Sequence, residues 1–236
     1  MIAVYVNMIT VLFGSLIGIV FGRKIKDSYI KTIMTSLGII VGVIGISSAI
    51  VSKDTLCLVI CLILGSIIGE AIKLDDRLEG MGDYVKKKFL SKIKVNERFT
   101  EGFVSAGLLF CIGSMSIMGS LEAGINNNYT IIFTKSIMDF FSSMMLATTM
   151  GIGVTFSILF VLLFQGSITL LANVVAPYLG EAVIVEMSAI GGAILIGMAI
   201  NMLEISKTRI KIANMLPAIL LPIVYIPLVE ALKQLF

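Results

Sequence analysis

Apolar runs long enough to cross a bilayer recur along this chain, and nothing else in the sequence limits its fold so strongly. Eight runs can be drawn, at residues 3–21, 33–51, 56–72, 102–121, 130–150, 154–172, 182–203 and 212–232. About 18 residues of helix reach across the hydrocarbon core. Backbone in lipid must satisfy its own hydrogen bonds, so runs of this kind become helices. The 236 residues are 58% hydrophobic and 14% charged, with a mean hydropathy of +1.05. Soluble domains carry about 25% charged residues. The sequence therefore predicts an all-α polytopic membrane bundle of about eight transmembrane helices, forming one transmembrane domain over residues 1–236. The first run lacks a basic leader and is long, so no cleavable signal peptide is expected.

Charge sets the expected orientation. Arg23, Lys24, Lys26 and Lys31 follow span 1, and Lys207, Arg209 and Lys211 precede span 8. Residues 73–100 hold eight more Lys and Arg. Loops 122–129 and 173–181 have none, and the turn between spans 2 and 3 has only Lys53. Lys/Arg excess marks cytoplasmic loops. With eight spans every basic loop falls on one side, which predicts a multi-pass protein of the bacterial cytoplasmic membrane with both termini outside. Within 73–100, Leu74, Leu78, Met81, Val85, Phe89 and Ile93 recur at three- and four-residue spacing. That pattern predicts a cytoplasmic amphipathic linker helix lying on the membrane surface.

Residues 103–169 are almost wholly apolar yet contain Glu122, Lys135, Asp139 and Gln165. A charge at the bilayer centre costs at least about 2.5–3.5 kcal/mol, so such residues face protein or water and are functional candidates. Lys135 and Asp139 are four apart and share a helix face. They read either as a mutually neutralising pair or as a substrate or ion site, with Asp139 the deeper of the two. The run from Gly113 to Ser120, with Ser114 and Ser116, reads as a broken helix whose freed backbone lines a cavity with Glu122 at its mouth. Its other reading is an ordinary span ending in an interfacial carboxylate. Gln165 and Ser167 in span 6, and Asn7, Asn201 and Asn214, read as interhelical hydrogen-bonding residues or as path residues. Glu70 and Glu186 lie near span ends, where a structural role is favoured. Pro217, Pro222 and Pro227 mark kinks in span 8.

The chain has no histidine, which removes the usual neutral-pH base and the commonest transition-metal ligand. Cys57 and Cys61 are one helical turn apart, and small-residue packing is favoured over a metal or redox pair. No nucleophile–base pair or phosphate-binding loop is visible. No enzyme activity, cofactor or nucleic-acid partner is expected, and the metal question stays open.

Sliding the chain by 152 residues places Gly14 on Gly166, Ser15 on Ser167, Ser36 on Ser188 and Gly45 on Gly197. Five spans separate the starts of the two copies, so spans 1–3 and 6–8 would form an inverted repeat. That is the usual architecture of secondary transporters. Spans 4 and 5 would stand between the copies as a central pair, one of them broken.

Several stretches resemble the YqgA/YdfK family of bacterial inner-membrane proteins, which carries a domain-of-unknown-function label. They are Thr100 to Phe103, Cys111 to Gly124, Lys135-Ser136 with Asp139, Gln165-Gly166-Ser167, and Glu186 through Asn201 to Asn214-Met215-Leu216-Pro217. The resemblance covers nearly the whole chain. Family members often carry an Asp where this chain has Ala123. The resemblance implies an inner-membrane transport protein without an established substrate. Together these readings predict a small secondary transporter or permease for a small solute or ion, in the lipid bilayer, as a homo-oligomer. Its path would be lined by polar residues of spans 4–6. A channel, or a non-transporting scaffold or sensor, are the alternatives.

Overall fold

The computed structural model describes residues 1–22, 26–90 and 98–233. The elements are α1 (Ile2–Gly22), α2 (Asp27–Ala49), α3 (Thr55–Ala71), α4 (Leu74–Leu90), α5 (Phe99–Cys111), α6 (Ser114–Ile125), α7 (Thr130–Met150), α8 (Gly153–Phe156), α9 (Ile158–Leu170), α10 (Ala172–Val175), α11 (Glu181–Met202) and α12 (Pro222–Lys233). Short 3-10 segments lie at Ala176–Tyr178 and Ile212–Leu220. There is no strand among the described residues.

α1, α2, α7, the α8–α9 unit and α11 are each long and apolar enough to cross a membrane. Three bent pairs qualify together: α3 with α4 at 56°, α5 with α6 at 63°, and the 212–220 segment with α12 at 42°. The fold thus offers five spans, or eight if every bent pair is one crossing.

Glycine contacts give the relative direction of neighbouring helices. Gly14, Gly18 and Gly22 of α1 lie against the carbonyls of Phe140, Met144 and Thr148 of α7, so the two run parallel. α2 and α11 run antiparallel, with Gly38 beside Leu203, Gly42 beside Ala199 and Gly45 beside Gly192. Gly65 and Gly69 of α3 meet Ala218 and Asn214, which is again antiparallel. Gly153 abuts Phe99, Gly107 abuts Phe160, and Gly124 abuts Thr169 and Ala172. The α5–α6 pair therefore follows the α8–α9 unit in parallel along both of its halves. A hairpin that turned back would follow it along only one. Eight alternating crossings require these four relative directions.

Small residues carry this packing because lipid tails provide no hydrophobic drive between helices. α11 is the hub, with 72% of its apolar window buried against 28% for α2 and 33% for α1. A helix that is apolar all round belongs inside. Ile2, Tyr5, Ile9, Phe13, Leu16 and Val20 form an exposed stripe on α1, as a lipid-facing helix requires. Cys57 and Cys61 are buried in the core as free thiols, with sulfurs 3.8 Å apart.

The structure adds detail to three readings. Within residues 73–100, the described parts are α4 and the start of α5. α4 ends at Leu90, residues 91–97 lie outside the described set, and Phe99 already opens α5. α4 buries Asp75, Leu78 and Gly82, while Met81 and Tyr84 are exposed. The side chains of Val85 and Phe89, and Ile93 altogether, lie outside the described set. The reason is a polar dock. Asp75 Oδ1 accepts the Ala213 N–H at 3.1 Å, and the Asp75 N–H donates to Asn214 Oδ1 at 2.7 Å.

Span 8 begins as a nine-residue 3-10 segment containing Pro217 and bends by 42° at its junction with α12, a kink as its prolines suggest. Runs this long are uncommon. Here Gly65 and Gly69 let its backbone lie directly on α3.

The third concerns the residues matched by the 152-residue slide, which do not play matched roles. Gly45 is wedged against Gly192 and Ile196, while a Cβ on Gly197 would meet open space.

Candidate functional site

Span 4 breaks at Ile112–Gly113, near its midpoint. The Ile112 N–H still reaches Leu108 O at 2.8 Å, and then the chain turns. Gly113 has φ +124°, a conformation that only glycine enters freely. α6 restarts at Ser114 with no side-chain cap, which leaves amide donors at the break. The Ser116 hydroxyl donates back across the break to Phe110 O at 3.4 Å.

A chain of side-chain hydrogen bonds runs from the break through three other helices. Lys135 Nζ of α7 donates to Asp139 Oδ2 at 2.5 Å. Asn7 Nδ2 of α1 donates to the same Oδ2 at 3.0 Å and to Gln165 Oε1 of α9 at 3.1 Å. Gln165 Nε2 then donates to Ser116 Oγ of α6 at 3.2 Å. Asn7, Gln165 and Ser116 are fully buried, and Lys135 and Asp139 are each 6% exposed. Two acceptors facing Asn7 Nδ2 fix the orientation of that amide. Pairing makes the two buried charges tolerable, since removing either partner strands the other.

A cavity of about 360 Å³ lies beside the pair. Lys135, Asp139 and Ser142 of α7 line it, with Gly113 to Ser116 of the break, Ser188 and Leu195 of α11, and Ser47 and Ser48 of α2. Among the described residues both hydrogen bonds to Asp139 fall on Oδ2. Lys135 Nζ has three donors and makes one hydrogen bond among the described residues. The pair therefore keeps hydrogen-bonding capacity for whatever enters the cavity.

The residues singled out from sequence separate into groups. Asn7, Ser116, Lys135, Asp139 and Gln165 join in one network, and Ser114 is exposed on the cavity wall. Glu122 is not at the cavity mouth. α6 continues to Ile125 and carries Glu122 about 12 Å of helix beyond the break. There Glu122 accepts the Asn126 side chain at 3.1 Å. Ser167 is exposed and bonds its own helix at Phe164 O, because two residues on from Gln165 a helix faces away. Asn201 clasps the backbone of Ile210 in both directions at 2.9 Å, tying a loop rather than lining the cavity. Asn214 Nδ2 donates to Glu70 Oε2 at 2.6 Å in the α4 dock. The sequence reading missed Ser47, Ser48, Ser142 and Ser188. Serines in apolar spans commonly bond their own helix, and no pattern marked these four as cavity residues. No cluster of three metal-ligating side chains occurs among the described residues.

A family model described as a protein of unknown function (DUF554) matches residues 2–227. The chain belongs to this family. It is 32% identical over 229 residues to the "Uncharacterized membrane protein YdfK" of Bacillus subtilis (strain 168), covering 95% of each chain. It is 27% identical over 223 residues to the "Uncharacterized protein YqgA" of Escherichia coli (strain K12), covering 92% of each. No solved structure matches the chain. Apolar helices and a membrane relative agree, and this is a membrane protein. Within the family fold, the helix break and the buried charge pair meet at one cavity.

Proposed function

We propose that this protein is a secondary transporter or permease that moves a small solute or ion across the bacterial cytoplasmic membrane. One observation carries the reading: a buried Lys135–Asp139 pair borders a mid-span cavity at a helix break. Broken helices at the midplane are where transporters present backbone groups to substrate. The antiparallel pairing of α2 with α11, and of α3 with the 212–220 segment, supports an inverted repeat, since matched spans meet each other head to tail. The distribution of basic loops supports both termini lying outside. The cavity is edged by exposed Ile44 of α2, Val51 of the turn after it and Met138 of α7, and a second copy there would seal it, which favours a homo-oligomer.

Asp139→Asn tests the reading. The purified variant should fold, and the thermal stabilisation given by a screened ion or metabolite should vanish, because a ligand that binds only the folded state raises its stability. Ligand stabilisation that survives unchanged in Asp139→Asn would make the pair purely structural. Orientation is tested separately by single cysteines in a cysteine-free background. Positions 24, 87 and 209 should label from one side, and positions 127 and 178 from the other.

A further inference from the structure

Two pockets are stacked along the groove between α5 and α11. A vestibule of about 530 Å³ lies toward the 203–211 loop and is lined by Val104, Ser105 and Leu108 of α5 and by Met198, Asn201 and Met202 of α11. The cavity at Asp139 comes next, lined by Leu109 of α5, Ile112 at the break, and Leu195 and Ser188 of α11. The numbers rise on one helix as they fall on the other, and Ile112 lies against Gly191. That register sets Leu108 level with Leu195. Only one helical turn, about 5.4 Å, separates the two pockets. Leu108, Leu195 and Met198 fill it and are no more than 3% exposed.

A third, apolar space of about 190 Å³ lies behind the break, bordered by Leu108, Gly107, Cys111, Phe160, Phe164 and Leu216. Leu108 therefore borders both the vestibule and this void. We infer that vestibule and cavity are one path, closed by an apolar septum of Leu108, Leu195 and Met198, and opened when Leu108 swings into the void behind α5. The inference rests on the transport reading and names its gate. A dry apolar constriction blocks water and ions without any steric plug, as in pores that gate by dewetting. The hinge is at hand. At Ile112–Gly113 the helical ladder is interrupted, and a Cβ at Gly113 would meet nothing within 4 Å.

The test reads access to the cavity and needs no substrate. Ser142→Cys, in a version with Cys57, Cys61 and Cys111 replaced by Ala, reports on the cavity through a membrane-impermeant thiol reagent. The reagent is applied to vesicles of either orientation. Labelling from the vestibule side should be about tenfold faster in Leu108→Ala, because the septum is gone. Leu216→Phe, which fills the void, should slow labelling by about the same factor, and adding Leu108→Ala should restore it. A second reporter, Ser15→Cys, sits in the core bonded to Thr155 and must stay unlabelled. If Leu108→Ala exposes it, Leu108→Val replaces that variant under the same rate criterion. Equal rates in the parent and the Leu108 variants, no effect of Leu216→Phe, or acceleration only from the opposite side overturns the gate. A gate that works while Asp139→Asn leaves ligand stabilisation untouched would remove the proposed binding site and keep the septum.

Discussion

Two buried carboxylates in this protein are satisfied in opposite ways. Glu186 is 3% exposed near the start of α11, and both of its oxygens are filled. Ser52 Oγ donates to one at 2.7 Å, and the N–H groups of Lys53 and Asp54 donate to the other at 2.7 and 3.1 Å. It clamps the turn between α2 and α3. Asp139 lies at the middle of α7, takes both of its side-chain partners on one oxygen, and lines a cavity. The first gives one oxygen to two backbone N–H groups and the other to a serine hydroxyl on the same turn. The second is held by two side chains, Lys135 of its own helix and Asn7 of α1. A carboxylate filled by backbone is built to stay. One held by side chains beside open space can change partners, and that difference separates a structural acid from a candidate path residue.

The sharpest way to break the comparison is to remove one charge. Lys135→Met leaves Asp139 buried without its cation, and stability should fall by about 3–5 kcal/mol. Adding Asp139→Leu should recover most of it, as measured by thermal unfolding in detergent. If the single change is silent, water or an ion already compensates Asp139, and the pair is weaker than its 2.5 Å geometry implies. Glu186→Ala comes next, at about 1.5–3 kcal/mol, because charge-assisted bonds to two backbone donors are lost. No single second substitution should rescue it, since backbone N–H groups cannot be deleted. Rescue by any side-chain change would erase the distinction between the two acids.

Two glycines extend the contrast from side chains to backbone. A Cβ on Gly69 would fall on the backbone of Asn214, and no side-chain rotation can relieve that. A Cβ on Gly113 has room, but φ +124° is strained for any other residue. Each Ala substitution should cost about 1–3 kcal/mol, by overpacking at Gly69 and by backbone strain at Gly113. They should differ in what else they change. Gly113→Ala should alter the labelling rate of Ser142→Cys, because it reshapes the break. Gly69→Ala should loosen the Glu70–Asn214 dock and leave that rate alone.

Much of this was legible before any coordinates. Helix content followed from run length, and α7 spans the residues that the apolar pattern marks, 130–150. The four-residue spacing of Lys135 and Asp139 made their pairing readable. Asn7 and Gln165 could be named as polar residues in apolar spans, but not as partners, because 158 residues separate them and only the packing of α1 on α9 joins them. The break was visible as a Gly/Ser-rich run, yet its exact place depends on one glycine's backbone angle. Glu122 misled because composition cannot tell where a helix ends. Likewise the apolar spacing in 73–100 hid a dock made by the acidic edge of α4. Periodicity records which residues are apolar, and Asp75 was drawn inside by the Ala213 N–H and the Asn214 side chain, partners that a sequence does not display.

The smallest expected effect lies at the edge of that dock. Arg209 donates to Glu79 with both side chains well exposed, at 48% and 39%. Beside it Lys211 donates to Asp76 at 2.9 Å. Exposed pairs are screened by water and salt, and ordering two long side chains offsets much of the attraction. Arg209→Gln should therefore cost roughly 0–1 kcal/mol, and less as ionic strength rises. Asp75 and Asn214, buried one turn away, should hold α4 in place regardless. Thermal unfolding at low and high salt checks this directly. A loss that exceeds the Lys135→Met effect, or that persists in high salt, would mean the exposed pair anchors the vestibule wall. The contrast between central and peripheral charges would then run the other way.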